Sequence, residues 1–88
     1  MELSGIYWIR NKINSHVYIG STINLKNRKM QHYKSMLKRH PNRHLRDAVN
    51  KYGIRNFVFG ILERCSEAIL KQREQYYIDI IRPEYNVN

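Results

Sequence analysis

Residues 4–21 read SGIYWIRNKINSHVYIGS, and two runs within that stretch set the architecture. Ser4 to Arg10 and His16 to Ser21 are rich in Ile, Val, Tyr and Trp, and the polar segment Asn11 to Ser15 separates them. Short β-branched and aromatic runs flanking a polar turn predict two antiparallel strands, an N-terminal hairpin. Side chains alternate across a strand, which puts Ile6 and Trp8 on one face and Tyr7 and Ile9 on the other. Both faces carry bulk. Phe57 to Leu62 repeats the pattern, with Phe57, Phe59 and Ile61 alternating with Val58, Gly60 and Leu62. Strands apolar on both faces belong in a sheet covered by helices on both sides.

Three helices can supply that cover. Asn24 is a candidate N-cap for a helix from Leu25 to about Lys38, with Met30, Tyr33 and Leu37 as its apolar stripe. Leu45, Ala48, Val49 and Tyr52 fall at i, i+3, i+4 and i+7, with Asn42 as cap before them and Gly53 as the C′ residue after them. A last helix would begin after Ser66 and stop before Pro83, burying Leu70, Tyr77, Ile78 and Ile81. The expected fold is α+β, a small three-stranded antiparallel sheet sandwiched by about three helices, in the order strand, strand, helix, helix, strand, helix. At 88 residues there is room for one domain, and no repeat, low-complexity tract or Pro/Gly/Ser linker divides it.

Sixteen Lys and Arg against seven Asp and Glu give a net charge of +9, the balance of a chain that meets a polyanion. Its distribution is uneven. Arg10, Lys12, Lys26, Arg28, Lys29, Lys34, Lys38, Arg39, Arg43 and Arg46 are met between Leu3 and Arg46 with no acidic residue, whereas six basic and six acidic residues balance from Asp47 onward. One electropositive face suits a phosphate backbone, and a basic solubilising surface is the plainer alternative. The single cysteine, Cys65, excludes an internal disulfide framework and a multi-cysteine zinc site. The N-terminus has no secretory pattern and no apolar run reaches the roughly 18 residues of a membrane span, so the expectation is an intracellular protein without membrane attachment.

Glu74 lies four residues after Leu70 and four before Ile78, in the middle of a stripe that should face the core. A carboxylate there has to be paired, hydrogen-bonded or bound to a cation, since an isolated buried charge costs several kcal/mol. An ion pair with Lys71 or another basic residue and a metal site both satisfy that requirement. Arg28 and His32 are four apart and share one helix face, at an edge of the core away from the Met30 stripe. They could offer a guanidinium for phosphate beside an imidazole that moves a proton near neutral pH, or they could belong to a solvated face. Tyr7 and Tyr18, on neighbouring strands, could approach each other or simply pack. His16, His40 and His44 have weaker cases, and no zinc spacing, phosphate-binding glycine loop or nucleophile motif is present.

The words around these residues narrow the choice. Gly5-Ile6-Tyr7 and Tyr18-Ile19-Gly20 resemble the paired signature of the GIY-YIG endonuclease family in order and spacing. Gly20-Ser21-Thr22, Asn24-Leu25, Arg28 and His32 are similar to its first-helix segment, and Ala48-Val49-Asn50-Lys51-Tyr52-Gly53, Phe57 and Ile61-Leu62-Glu63 to the middle of its phage and intron-encoded members. Glu74-Gln75-Tyr76-Tyr77-Ile78-Asp79 and Pro83-Glu84-Tyr85-Asn86 resemble that branch's last helix and terminal asparagine. Nearly the whole chain is covered, which reads as one catalytic domain over residues 1–88.

The resemblance implies metal-dependent hydrolysis of a DNA phosphodiester, with Glu74 binding a single Mg²⁺ or Mn²⁺. Arg28 would hold the scissile phosphate, Tyr7 and His32 would handle the attacking water, and Tyr18 would complete the cluster. Asn86 would position the scissile region or brace the site. Lys26, Lys29, Lys34, Lys38, Arg39, His40, Arg43 and Arg46 would contact double-stranded DNA, with no small-molecule cofactor, as a monomer or a transient dimer. Intron-encoded members usually carry a further C-terminal DNA-binding region, which these residues do not include. The competing expectation is a non-catalytic DNA- or RNA-binding module on the same fold.

Overall fold

The structure is a computed structural model and describes residues 3–33 and 36–86. Its sheet is built from β1 (Gly5–Asn11), β2 (Val17–Thr22) and β3 (Phe57–Arg64), antiparallel in the order β2-β1-β3, so the hairpin's first strand is central. The hairpin turn is closed by Asn11, whose Oδ1 accepts from the Ile13 N–H at 2.9 Å and whose carbonyl accepts from the Ser15 N–H at 2.8 Å. Ser15 takes the left-handed backbone that this tight return requires, at φ 64°.

Helices α1 (Leu25–Tyr33), α2 (Arg43–Tyr52) and α3 (Leu70–Ile81) cover the sheet, with short 3₁₀ turns at Met36–Arg39, Ile54–Asn56, Glu67–Ile69 and Glu84–Asn86. On one face Tyr7, Ile9, Phe57 and Phe59 pack with Leu25, Leu37, Leu45, Val49 and Tyr85. On the other, Ile6 and Ile19 pack with Cys65 and Leu70, flanked by Trp8, Leu62, Tyr77 and Ile78. The sandwich and its element order are those read from the two-faced strands. No helix among the described residues is long and apolar enough to cross a membrane.

Helix α2 follows its capping signals. The Asn42 Oδ1 accepts from the Leu45 N–H at 2.9 Å, and Gly53, at φ 89°, donates its N–H to the Val49 carbonyl. Helix α3 ends where Arg82 turns left-handed ahead of Pro83, and its Ile81 is 40% exposed rather than buried. Strand β3 runs two residues past Leu62, and its register slips beside the hairpin: Ile6 pairs with Glu63 but Tyr7 with Ile61, leaving Leu62 as the extra residue of a bulge.

The first helix departs most from expectation. It is described as far as Tyr33, Lys34 and Ser35 lie outside the described residues, and Met36–Arg39 is a 3₁₀ turn rather than a continuation to Lys38 as α-helix. Of the expected stripe only Leu37 is buried; Met30 is 47% and Tyr33 62% exposed. The helix turns Leu25, Arg28 and His32 toward the sheet instead, with Leu25 and His32 buried and Arg28 half-buried. Arg28 and His32 thereby line a cavity bounded on the sheet side by Tyr7, Ile9 and Phe59.

Candidate active site

The hairpin register sets Tyr7 opposite Gly20 and Tyr18 opposite Ile9. A Cβ on Gly20 would lie 2.5 Å from both Cζ and Oη of Tyr7 and 3.0 Å from Cε2 of Tyr18, so the absence of a side chain there is what lets the tyrosine cross the strand. Tyr7 stacks on Phe59 with centroids 5.1 Å apart, and Tyr18 stands 6.3 Å away. The Arg28 guanidinium carbon is 5.9 Å from the Tyr7 ring centre. These side chains bound a cavity of about 180 Å³ lined by Tyr7, Arg28, His32, Arg39, His40 and Phe59 among others.

Electrostatics in this cluster oppose ionisation of the tyrosines. Burial first, then the neighbouring Tyr18 and the negative charge of Glu74, hold the Tyr7 hydroxyl protonated far above its usual range, and Arg28 only partly offsets them. Burial and Glu74 raise Tyr18 as well, and Arg28, then the hydrogen bond from the Tyr7 hydroxyl, partly offset them. Glu74 thus acts on both hydroxyls through space although it stands on α3, on the far side of the sheet. Its carboxylate is half-buried, and Oε1 accepts from Ser21 Oγ at 2.6 Å. The ion pair formed on this helix belongs instead to Arg73, whose Nη2 is 2.7 Å from Glu63.

Both histidines on the cavity wall are neutral. His32 is 3% exposed, and its Nε2 lies 3.1 Å from the Phe57 carbonyl. A carbonyl only accepts, so Nε2 carries the proton and Nδ1 is the acceptor. That Nδ1, like Arg28 Nε, is buried without a hydrogen-bond partner among the described residues. Burial lowers the His32 pKa, outweighing the carbonyl bond that raises it. His40 was expected on the DNA-contacting surface, but it is 8% exposed and stands edge-on to Tyr18, with centroids 4.9 Å apart. Its Nδ1 accepts the Asn42 N–H at 2.9 Å, so the neutral ring carries its proton on Nε2. Burial, then the charge of Arg28, brings its pKa down to about 4.

Asn86 turns its amide onto the backbone of β2. Its Oδ1 accepts from the Ile19 N–H and its Nδ2 donates to the Ile19 carbonyl, each at 2.8 Å, so one side chain occupies the open edge of β2 between Tyr18 and Gly20. Glu84 does the same two residues earlier, accepting the Val17 N–H at 3.0 Å. This geometry braces the strand that carries Tyr18.

The remaining basic candidates are distributed outside the cavity. Lys26, Lys29, Lys38, Arg39 and Arg43 are exposed, Arg46 is half-buried, and Lys34 lies outside the described residues. Arg39 also reaches the cavity lining, and Arg43 makes only a loose 3.7 Å pair with Asp47. Ser21 was missed as a site component, and His40 was expected on the DNA-contacting surface rather than in the cavity wall. Ser21 shares a strand face with Ile19, two positions back, which was enough to put its hydroxyl under α3. His40 gave no such signal, because its burial depends on the 3₁₀ turn that precedes it.

Among the described residues no three His, Cys, Asp or Glu side chains converge, so a zinc-type ligand set is absent from them. A lone carboxylate beside a hydroxyl suits a hard divalent cation that keeps several waters and takes its other ligands from a phosphate. By chemistry Glu74 fits Mg²⁺ or Mn²⁺.

A three-stranded antiparallel sheet between helices, with Tyr7, Tyr18 and Arg28 on one face and Glu74 bound to Ser21 on the other, defines the class: the GIY-YIG catalytic domain family matches residues 3–86, and the chain belongs to it. The chain is 33% identical over 86 residues to Intron-associated endonuclease 1 of Enterobacteria phage T4, an alignment covering 94% of this chain and 35% of that protein. It is 35% identical over 83 residues to UvrABC system protein C of Alkaliphilus metalliredigens, covering 94% of this chain and 12% of that one. The catalytic domain of homing endonuclease I-TevI superposes with a TM-score of 0.79 at 31% identity, over 94% of this chain and 92% of that domain. The chain therefore spans about a third or less of these two curated relatives. It is a GIY-YIG nuclease-family domain related to homing endonucleases.

Proposed function

We propose that the chain is a divalent-metal-dependent endonuclease domain that hydrolyses phosphodiester bonds in double-stranded DNA, as the catalytic module of a homing-type enzyme. The observation that carries this reading is Arg28 set against the Tyr7 ring in one cavity, with Glu74 hydrogen-bonded to Ser21 on the strand that carries Tyr18. A binding module needs the arginine for phosphate but gains nothing from a half-buried carboxylate across the sheet from it. Mg²⁺ or Mn²⁺ held at Glu74 would supply Lewis-acid polarisation of the phosphodiester and stabilise the leaving oxygen.

The chain's own groups divide the remaining work. Arg28 binds the phosphate and offsets the charge that grows on it in the transition state. Tyr7 serves as a protonated hydroxyl: ionising an unperturbed tyrosine at pH 7 already costs about 4 kcal/mol, and its burial adds to that cost. It orients the attacking water and passes a proton on rather than removing one outright. His32, locked by its Nε2–H on the Phe57 carbonyl, offers Nδ1 as the neutral acceptor for that proton. His40 remains a neutral donor packed against Tyr18.

The exposed Lys26, Lys29, Lys38, Arg39 and Arg43 supply phosphate contacts, so binding should be dominated by the backbone and weaken steeply with salt. One active site per chain cuts one strand per event, and a double-strand break requires reorientation or a second copy. The test is plasmid cleavage with Mg²⁺, Mn²⁺ or EDTA, beside the Glu74→Ala variant. Metal-dependent nicking that disappears in the variant while DNA binding persists is the expected result. Undiminished turnover by Glu74→Ala would remove the metal assignment.

A further inference from the structure

Two strands offer polar side chains at one level of the sheet. Ser21 on β2 and Glu63 on β3 both stand opposite Ile6 of the central strand, on the face covered by α3. Consecutive residues of α3 reach them on opposite sides: Glu74 takes the Ser21 hydroxyl, and Arg73 takes Glu63. The Arg73–Glu63 contact is a two-pronged fork, Nε to Oε2 at 2.8 Å and Nη2 to Oε1 at 2.7 Å, and the Tyr77 hydroxyl donates to the same Oε1 at 2.8 Å. The Arg73 guanidinium also lies 4.4 Å from the Tyr76 ring centre and 5.6 Å from that of Tyr77.

We propose that Arg73, gripping Glu63 with Tyr77, is a positioning residue that fixes the roll of α3 and thereby the placement of the Glu74 carboxylate for the divalent cation. The inference rests on the metal reading of Glu74 above. Its physical basis is that neighbouring helix positions leave the axis about 100° apart. A rotation that slackens the Arg73 side carries Glu74 with it. The apolar contacts under α3, chiefly Leu70 and Ile78 on Ile6 and Ile19, are non-directional and resist such a roll poorly. A single hydroxyl on Glu74 cannot resist it alone, whereas a planar bidentate fork fixes both distance and angle. The fork belongs to α3's own neighbour residue, so its geometry is transmitted over one peptide unit.

The test compares the wild-type chain, Arg73→Ala, Arg73→Lys and the control Gln75→Ala, an exposed residue of the same helix. NOEs between the Ser21 and Glu74 side chains, which need no metal, report the placement. Mn²⁺-induced broadening of the amide signals of residues 20–22 and 74 reports the cation. Arg73→Ala is expected to stay folded by its dispersed amide spectrum, lose the NOEs, and need about tenfold more Mn²⁺ for the same broadening. Its kcat should fall about 10²-fold, the cost of a misplacement near 1 Å, with KM for DNA within about twofold of wild type. Arg73→Lys keeps the charge without the fork and should fall between. NOEs and Mn²⁺ response unchanged in Arg73→Ala, with only thermal stability reduced, would overturn the proposal. A wild-type chain that keeps its NOEs while its residue 21 and 74 signals ignore Mn²⁺ would overturn the metal reading and this inference with it.

Discussion

Replacing Gly20 with Ala tests how closely the hairpin and the tyrosine pair are fitted. The added methyl would sit 2.5 Å from the Tyr7 hydroxyl, about 0.9 Å inside the 3.4 Å at which ordinary van der Waals contact begins. Tyr7 has little room to yield, being 2% exposed and stacked on Phe59. Alanine in place of glycine within a strand would by itself gain about 0.5–1 kcal/mol, but overpacking a closed site costs about 1–3 kcal/mol, so the clash wins. A net loss of about 1 kcal/mol lowers the melting temperature of a domain this size by roughly 4–8 °C. Activity should suffer more than stability, since displacing a reacting group by about 1 Å costs on the order of 10²-fold in rate. The assay is single-turnover nicking at 20 °C, well below the variant's melting transition followed by circular dichroism. A folded Gly20→Ala chain that nicks DNA at the wild-type rate would refute the reasoning, because Tyr7 would then have accommodated the methyl without consequence.

Two further outcomes follow from the same geometry. Asn86→Ala removes both hydrogen bonds to the Ile19 backbone and should lower the urea-derived unfolding free energy by about 1–2 kcal/mol; an unchanged midpoint would show that the amide does not brace β2. The buried histidines make stability depend on pH: His40 is lowered in the fold from an ordinary 6.5 to about 4, so the unfolded chain binds its proton first. Stability from this group is complete above pH 6.5 and is lost as the pH falls toward 4, by on the order of 3 kcal/mol. Urea titrations at pH 7, 5.5 and 4.5 on the wild type and His40→Asn should show a shallower slope in the variant, and equal slopes would exclude His40 as the group responsible.

The parts of the fold that depend on short-range rules were readable from the residues. The strands of the hairpin declare themselves by carrying bulk on both faces, and α2 by Asn42, its apolar spacing and Gly53. Helix α1 misleads because hydropathy alone does not tell which side of a helix meets the sheet; here Leu25, Arg28 and His32 face it, and Met30 and Tyr33 are left exposed. The tyrosine pair, Arg28 and Glu74 were legible as a set from their surrounding words. Their mutual distances were not, since Ser21 meets Glu74 across 53 residues and Asn86 meets Ile19 across 67. Contacts of that range depend on the register and the bulge in β3, which no local pattern encodes.

The brace on β2 also bears on the order in which a ribosome delivers this domain. The hairpin and the cavity wall, with Tyr7, Tyr18, Arg28 and His32, are synthesised before Glu74 and Asn86. Until residue 86 has emerged, Val17 and Ile19 present bare N–H and C=O groups on an edge strand, the kind of surface that recruits a strand from another chain. A stalled or truncated nascent chain is thus a half-site without its carboxylate and a template for aggregation at once. Synthesis of residues 74–86 ends both conditions, so Glu74 joins the tyrosines and Arg28 only shortly before the edge is sealed.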